Sequence, residues 1–220
     1  MKLFLAGFCT LLLLSACGKS DDHPQAVDNL PWQVSKTAEG HTQAFHLELG
    51  KTTLRQAIEL WHSFPELAVM QTNNSYSLEA YFGKQRLGVF EAKLVAELAA
   101  DPATLEKFAK EHIKREPQAS GAWRLTVSEA NQKLANDFPI KTLIYIPTVN
   151  YEPDIILSRF GAGSEVVKLT DTVDAWFYAE RGLAMLIDAK GGDMFYYSSL
   201  ADFPQLKAKI LKLPAEHTHE

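Results

Sequence analysis

Three runs decide the fold: Ala175-Trp176-Phe177-Tyr178, Leu183-Ala184-Met185-Leu186-Ile187-Asp188 and Met194-Phe195-Tyr196-Tyr197. Each is four to six residues long and rich in aromatic and aliphatic β-formers. Arg181-Gly182 separates the first pair, and Lys190-Gly191-Gly192 turns the second run into the third. Short runs joined by tight glycine turns read as an antiparallel meander, because parallel strands need crossovers of a dozen residues or more. A helix flanks the meander on each side. Pro153 opens one that carries Ile155, Ile156 and Phe160 and closes at Gly161, and Leu200 to Leu213 forms the other, interrupted near its start by Pro204.

The first half of the chain repeats this order. Thr53 and Gln56 have capping-box spacing, and Leu54, Ala57, Ile58, Trp61 and Phe64 share a stripe, so a helix is expected over 53–64. Gly50-Lys51-Thr52 before it lacks the remote glycine of a phosphate loop, since Phe45 stands there, and reads as a turn and helix cap. Leu67–Met70, Ser75–Phe82 and Leu87–Leu98 follow as strands, with turns at Asn73-Asn74 and Gly83-Lys84. Upstream, Phe45, Leu47 and Leu49 alternate with His46 and Glu48 as one half-buried strand.

Between the halves, Asp101-Pro102 starts a helix expected over 103–115 with Leu105, Phe108, Ala109, His112 and Ile113 on its apolar face. His112 reads as a boundary histidine with a hydrogen-bond partner. Trp123, Leu125 and Val127 alternate as a strand, Ser128 caps a short helix, and Ile140–Val149 forms another strand. Phe64-Pro65 and Phe160-Gly161 lie 96 residues apart, as do Leu87 and Leu183, while Tyr81 and Tyr178 lie 97 apart. The expectation is an α+β fold of two helix-plus-antiparallel-β-meander units with an inserted α/β segment. Its divisions are 31–99, 100–150 and 151–213, with a polar tail at 214–220.

The N-terminus carries a different message. Lys2 precedes an apolar run, Leu3 to Leu14, too short to span a bilayer, and Leu14-Ser15-Ala16-Cys17 ends it. This is a secretory signal peptide over residues 1–16, and Leu14-Ser15-Ala16-Cys17 closely resembles the lipobox of bacterial lipoproteins. The resemblance implies cleavage between Ala16 and Cys17, a diacylglycerol thioether and palmitate on Cys17, and a membrane anchor that does not span. Residues 17–30 are polar and aperiodic, a lipidated tether. Gly18, where an aspartate resembles an inner-membrane retention signal, implies the outer membrane, on its periplasmic side.

The Phe160-Gly161, Trp176-Phe177-Tyr178 and Gly182-Leu183 elements, with the glycine hairpin to Phe195, are similar to the small outer-membrane-assembly lipoprotein repeat. That repeat is SmpA/OmlA-like and also resembles the β-lactamase-inhibitor-protein repeat. Together with the lipobox and the opening from Leu30-Pro31-Trp32 to Thr53-Leu54, the chain resembles a family of proteobacterial lipoproteins. The resemblance implies fold more than function, and favours a contact protein of the cell envelope.

Chemistry is sparse. Both cysteines, Cys9 and Cys17, are consumed by the signal peptide and the anchor, which removes thiolate nucleophiles and disulfides from the mature domain. No Gly-x-Ser-x-Gly, Ser-x-x-Lys or His-Glu-x-x-His pattern occurs. Asp171, Asp174 and Asp188 fall at strand ends and turns, where aspartate bonds backbone. His217 and His219 lie in a terminal tract without a rigid frame for a metal. The net charge of −5, with no basic run, excludes nucleic acid as a partner. The expected role is a non-enzymatic interaction or scaffold protein in envelope assembly or maintenance, with no cofactor, no metal, and an envelope protein as partner. Alternatives are a small-molecule or lipid-binding lipoprotein and an inhibitor of an envelope enzyme. Tyr76, Tyr81, Phe82, Trp176, Tyr178, Tyr196 and Tyr197 are the strand aromatics from which an exposed partner patch would be drawn.

Overall fold

The computed structural model describes residues 28–72 and 75–213. The fold is α+β. A small sheet comes first: β1 (Ser35–Lys36), β2 (Thr42–Ala44) and β3 (Leu47–Glu48). Then follow α1 (Leu54–Trp61), β4 (Glu66–Gln71), β5 (Tyr76–Leu87), β6 (Phe90–Leu98), α2 (Pro102–Lys110), β7 (Lys114–Pro117), β8 (Trp123–Thr126) and α3 (Glu129–Ala135). The chain continues through β9 (Ile140–Pro147), α4 (Pro153–Phe160), β10 (Glu165–Lys168), β11 (Val173–Tyr178), β12 (Leu183–Asp188), β13 (Met194–Ser198) and α5 (Phe203–Ile210). Ten strands form one antiparallel sheet in the order β10-β11-β12-β13-β9-β6-β5-β4-β8-β7. The meander expected from residues 175–197 is β11-β12-β13, and β13 and β6 both pair with β9.

Local chemistry places the helices where the sequence signals put them. Thr53 accepts from the Gln56 amide while the Gln56 side chain accepts from the Thr53 amide, a complete capping box. Asp101 accepts from the Thr104 amide at 3.0 Å, with Pro102 next in the first turn. The C-terminus of α4 is closed by β11 and the turn after it. Tyr178 Oη donates to Gly161 O at 3.0 Å, and Arg181 donates to Phe160 O at 2.8 Å, which satisfies two of the helix's orphan carbonyls. His112 is bonded as expected, Nδ1 lying 2.7 Å from Ala109 O.

Four expectations are corrected. The strand read across Ala44–Leu49 is instead a hairpin whose two turn residues, Phe45 and His46, have φ of 52° and 63°. Alternation misled because Phe45, Leu47 and Leu49 are nevertheless all buried. Gly83-Lys84 is no turn: β5 runs through it to Leu87, with a register shift between Tyr81 and Gly83, and the reversal falls at Gly88-Val89. Gly83, at φ 68°, supplies a bulge where a hairpin was expected. Helix α1 stops at Trp61 because His62 adopts the left-handed conformation, leaving Phe64 88% exposed. Helix α2 ends at Lys110; Glu111 to Ile113 leave it, and Lys114 and Arg115, expected as its last residues, open β7, an edge strand. The expected Asn73-Asn74 turn lies outside the described residues.

Two apolar cores flank the sheet. The larger gathers Leu78, Leu94, Leu143, Tyr145, Met185, Phe195 and Tyr197 beneath α1, α2 and α4, and Phe45 stacks on Tyr145 at 5.5 Å. Tyr197 Oη donates to Pro31 O at 2.8 Å, so the strip entering from the N-terminus is fastened to β13. The smaller core lies on the opposite face, where Ala175, Phe177, Ala184 and Leu186 meet Phe203, Leu206 and Ile210 of α5.

Candidate functional site

The site follows from where α5 ends its cover. Alternation sends Leu94 and Ala96, Leu143 and Tyr145, and Leu78 and Ala80 into the larger core. It therefore turns Val95, Ile144, Glu79 and Tyr81 to the opposite face. Registry then aligns them. Tyr196 pairs with Ile144, Ile144 with Val95, Val95 with Tyr81 and Tyr81 with Glu66, one lateral row across five strands. Val95 and Ile144 are half-buried and belong to neither core, while Tyr81 is 39% exposed. Tyr196 packs against the smaller core, so one end of the row tucks under α5 and the other is open.

A polar row runs beside it: Ser198 pairs with Thr142, Thr142 with Glu97, Glu97 with Glu79 and Glu79 with Ala68. Two carboxylates directly opposite each other on adjacent strands repel. Their surroundings differ. Lys209 of α5 and Lys141 of β9 lie 3.8 and 4.0 Å from the Glu97 carboxylate. Glu79 receives a hydrogen bond from Ser77 Oγ at 3.2 Å. Burial pushes the Glu79 carboxyl above its ordinary value, and the charge of Glu97 adds to the rise while Ser77 and Lys209 oppose it. Burial, with the Glu79 charge behind it, also pushes the Tyr196 phenol up to about 12. At the open end, Arg124 of β8 reaches Glu66 at 2.8 Å and Glu116 of β7 at 3.5 Å.

The recesses around this face are shallow or polar. The apolar one, under the end of α5 between Leu169, Leu186, Met194, Tyr196 and Leu213, holds about 250 Å³. Drug-sized ligands occupy roughly 300–1,000 Å³ of mainly apolar space. The larger recess, about 460 Å³, is bordered by Ser77, Glu97, Asp101, Lys141 and Asp202. What this face offers is an apolar strip edged by charge, a surface that another macromolecule covers more readily than a small molecule fills.

Of the candidate aromatics, Phe82, Tyr178 and Tyr197 are buried, and Tyr76 and Trp176 are half-buried against the larger core. Only Tyr81 and Tyr196 fall in the row. Asp188 bonds backbone as expected, accepting from the Lys190 amide at 2.9 Å. Glu79 and Glu97 were missed; period-two alternation put Glu97 on the outer face, but facing carboxylates require the register, which the Gly83 bulge shifts. Among the described residues no group of three or more His, Cys, Asp or Glu side chains is arranged to hold a metal ion, and no helix is long and apolar enough to cross a membrane. Ala16, Cys17, His217 and His219 lie outside the described residues. The chain matches no protein-family model, no curated protein and no solved structure.

Proposed function

We propose that this chain is a lipid-anchored lipoprotein, held through Cys17 on the periplasmic side of the outer membrane, that works by contact in envelope assembly or maintenance. The uncovered face of the ten-stranded sheet is its docking surface for an envelope protein. One observation carries the reading: the register-aligned row Tyr81–Val95–Ile144–Tyr196, half-exposed on a face that α5 covers only in part. Apolar side chains with an aromatic centre and a charged rim are the make-up of a protein interface. Glu66 and Glu97 on one side and Lys141, Lys209 and Arg124 among them would set the partner's orientation more than its affinity.

The two-unit architecture belongs to the same proposal. One unit is α1 with β4–β6 and the other is α4 with β10–β13, fused through β9 into a sheet wide enough to leave a free face. The segment from α2 to α3 extends the first unit's edge by β8 and β7.

Site-specific photo-crosslinking tests the docking face. A photoreactive residue at Tyr81, in the full chain expressed in bacterial cells, should trap one discrete protein, and the same residue at Leu134 should not. Equal trapping at both positions, or none at Tyr81, would remove this face from the proposal.

A further inference from the structure

We infer that the end of the sheet nearest the tether rests on the lipid surface, through an apolar patch built around Trp32. Trp32 is half-buried, with the Phe90 ring edge-on at 5.5 Å, the Phe160 ring at 6.1 Å and the Arg159 guanidinium 5.1 Å above it. Three large apolar side chains on or beside the segments that pack against it are exposed: Val89 at 61%, Val149 at 54% and Ile155 at 43%. Their positions are tied together. Val89 precedes Phe90 in the β5–β6 turn. Thr148 donates from both its amide and its hydroxyl to Glu91 O, which holds Val149 beside the same strand. Ile155 lies one turn before Arg159 along α4, on the same side of the helix.

The occupant follows from where the described chain begins. Asp28 is four residues from Trp32, and Cys17 is eleven residues before Asp28. Fully extended, eleven residues reach about 40 Å, so the patch lies within a short leash of the acyl chains. Aromatic side chains with an apolar body and a polar edge settle at the headgroup level, with apolar neighbours below them. The docking row across β5, β6 and β9 is left free for a protein. This inference rests on the lipid anchor at Cys17.

The test uses the full chain, recovered from bacterial membranes and reconstituted into vesicles of phosphatidylethanolamine and phosphatidylglycerol. Val89→Cys, Val149→Cys and Leu134→Cys each receive a polarity-sensitive fluorophore. Leu134 is exposed and follows Ser128 on α3, and its neighbour Phe138 bonds the start of α1. It lies by the Leu98–Ile140 end of the sheet, eight residues of β6 from Phe90, which is roughly 26 Å. At 89 and 149 the label should shift to the blue and be quenched by spin-labelled lipid, while at 134 it keeps the emission of an aqueous label. Identical aqueous emission at all three positions overturns the inference. The unsubstituted chain separates the two readings: a Cys17 whose sulfur is a diacylglycerol thioether takes up no thiol reagent, so labelling of that chain would refute the anchor itself.

Discussion

The two halves of the sheet are built from the same kind of strand and finished differently. In the β10–β13 half both faces are apolar: Leu183, Met185 and Ile187 enter the larger core, and Ala184 and Leu186 meet α5 across the smaller one. In the β4–β6 half only one face is. Leu94 and Ala96 are fully buried, but Lys93 is exposed, Val95 belongs to neither core, and Glu97 meets α5 only through Lys209. A third layer therefore exists where the sequence is continuously apolar, and stops where it alternates. Where alternation persists yet its outer residues are Tyr81, Val95 and Ile144, the surface is more apolar than solubility needs, and that surplus is the ground for the proposed docking row.

Substitutions divide along the same line. The largest effect belongs to Gly182 in the closed half. Its φ is 65°, and a Cβ there would sit 2.3 Å from Ser198 O and 2.5 Å from Thr42 Oγ1. Gly182→Ala should prevent stable folding, seen as loss of the cooperative thermal transition, because the β12–β13 ladder cannot part to admit a methyl group. Next, Phe177→Ala removes the ring that meets Phe203 edge-on at 6.4 Å. It should cost about 3–5 kcal/mol in urea unfolding, as large-to-small core changes do. A cost under about 1 kcal/mol would mean that α5 is not a true layer.

Changes on the open half should be small. Glu79→Gln should add up to about 1 kcal/mol at pH 7, by removing a carboxylate that faces Glu97. Burial raises the Glu79 carboxyl in the folded state, so its ionisation opposes folding. The gain is therefore present in full above the raised folded value and fades as pH falls through the unfolded one, below which the acid is neutral in both states. Urea titrations from pH 4 to pH 8 check the sign. The same variant should retain full function, and its failure to do so while folded would point to carboxylate chemistry and away from contact. Smallest of all, Tyr81→Ser should change stability by no more than about 0.5 kcal/mol in the same titration.

Part of the fold was legible beforehand. The run Leu183-Ala184-Met185-Leu186-Ile187 was read as a strand of the meander, though not as one buried on both faces, and the caps at Thr53 and Asp101 and the proline at 153 marked three helix starts. What failed was conformation that only tertiary contact decides. Phe45 and His46 turn with positive φ because burying Phe45 against Tyr145 and Tyr197 outweighs a local preference for Asn-Gly. Gly83 looked like a hairpin turn because bulge and turn both want a glycine at positive φ. The helix expected to run on through Ile113 ended early because β8 needed an edge partner, and Ile113 is 67% exposed. The docking row was half visible. Its aromatics were visible in the sequence, but choosing Tyr81 and Tyr196 out of seven required the register of four ladders and the position of α5.

The direct test of the central claim is complementation. A strain lacking this gene and sensitised at its envelope is supplied with Tyr81→Asp or, as the control, Ile113→Asp, with lipidation and folding verified for each. Both positions are exposed, but only Tyr81 lies in the row. Loss of complementation with Tyr81→Asp and full rescue with Ile113→Asp is the result expected of a docking face. Full rescue by the properly folded and anchored Tyr81→Asp protein would contradict it.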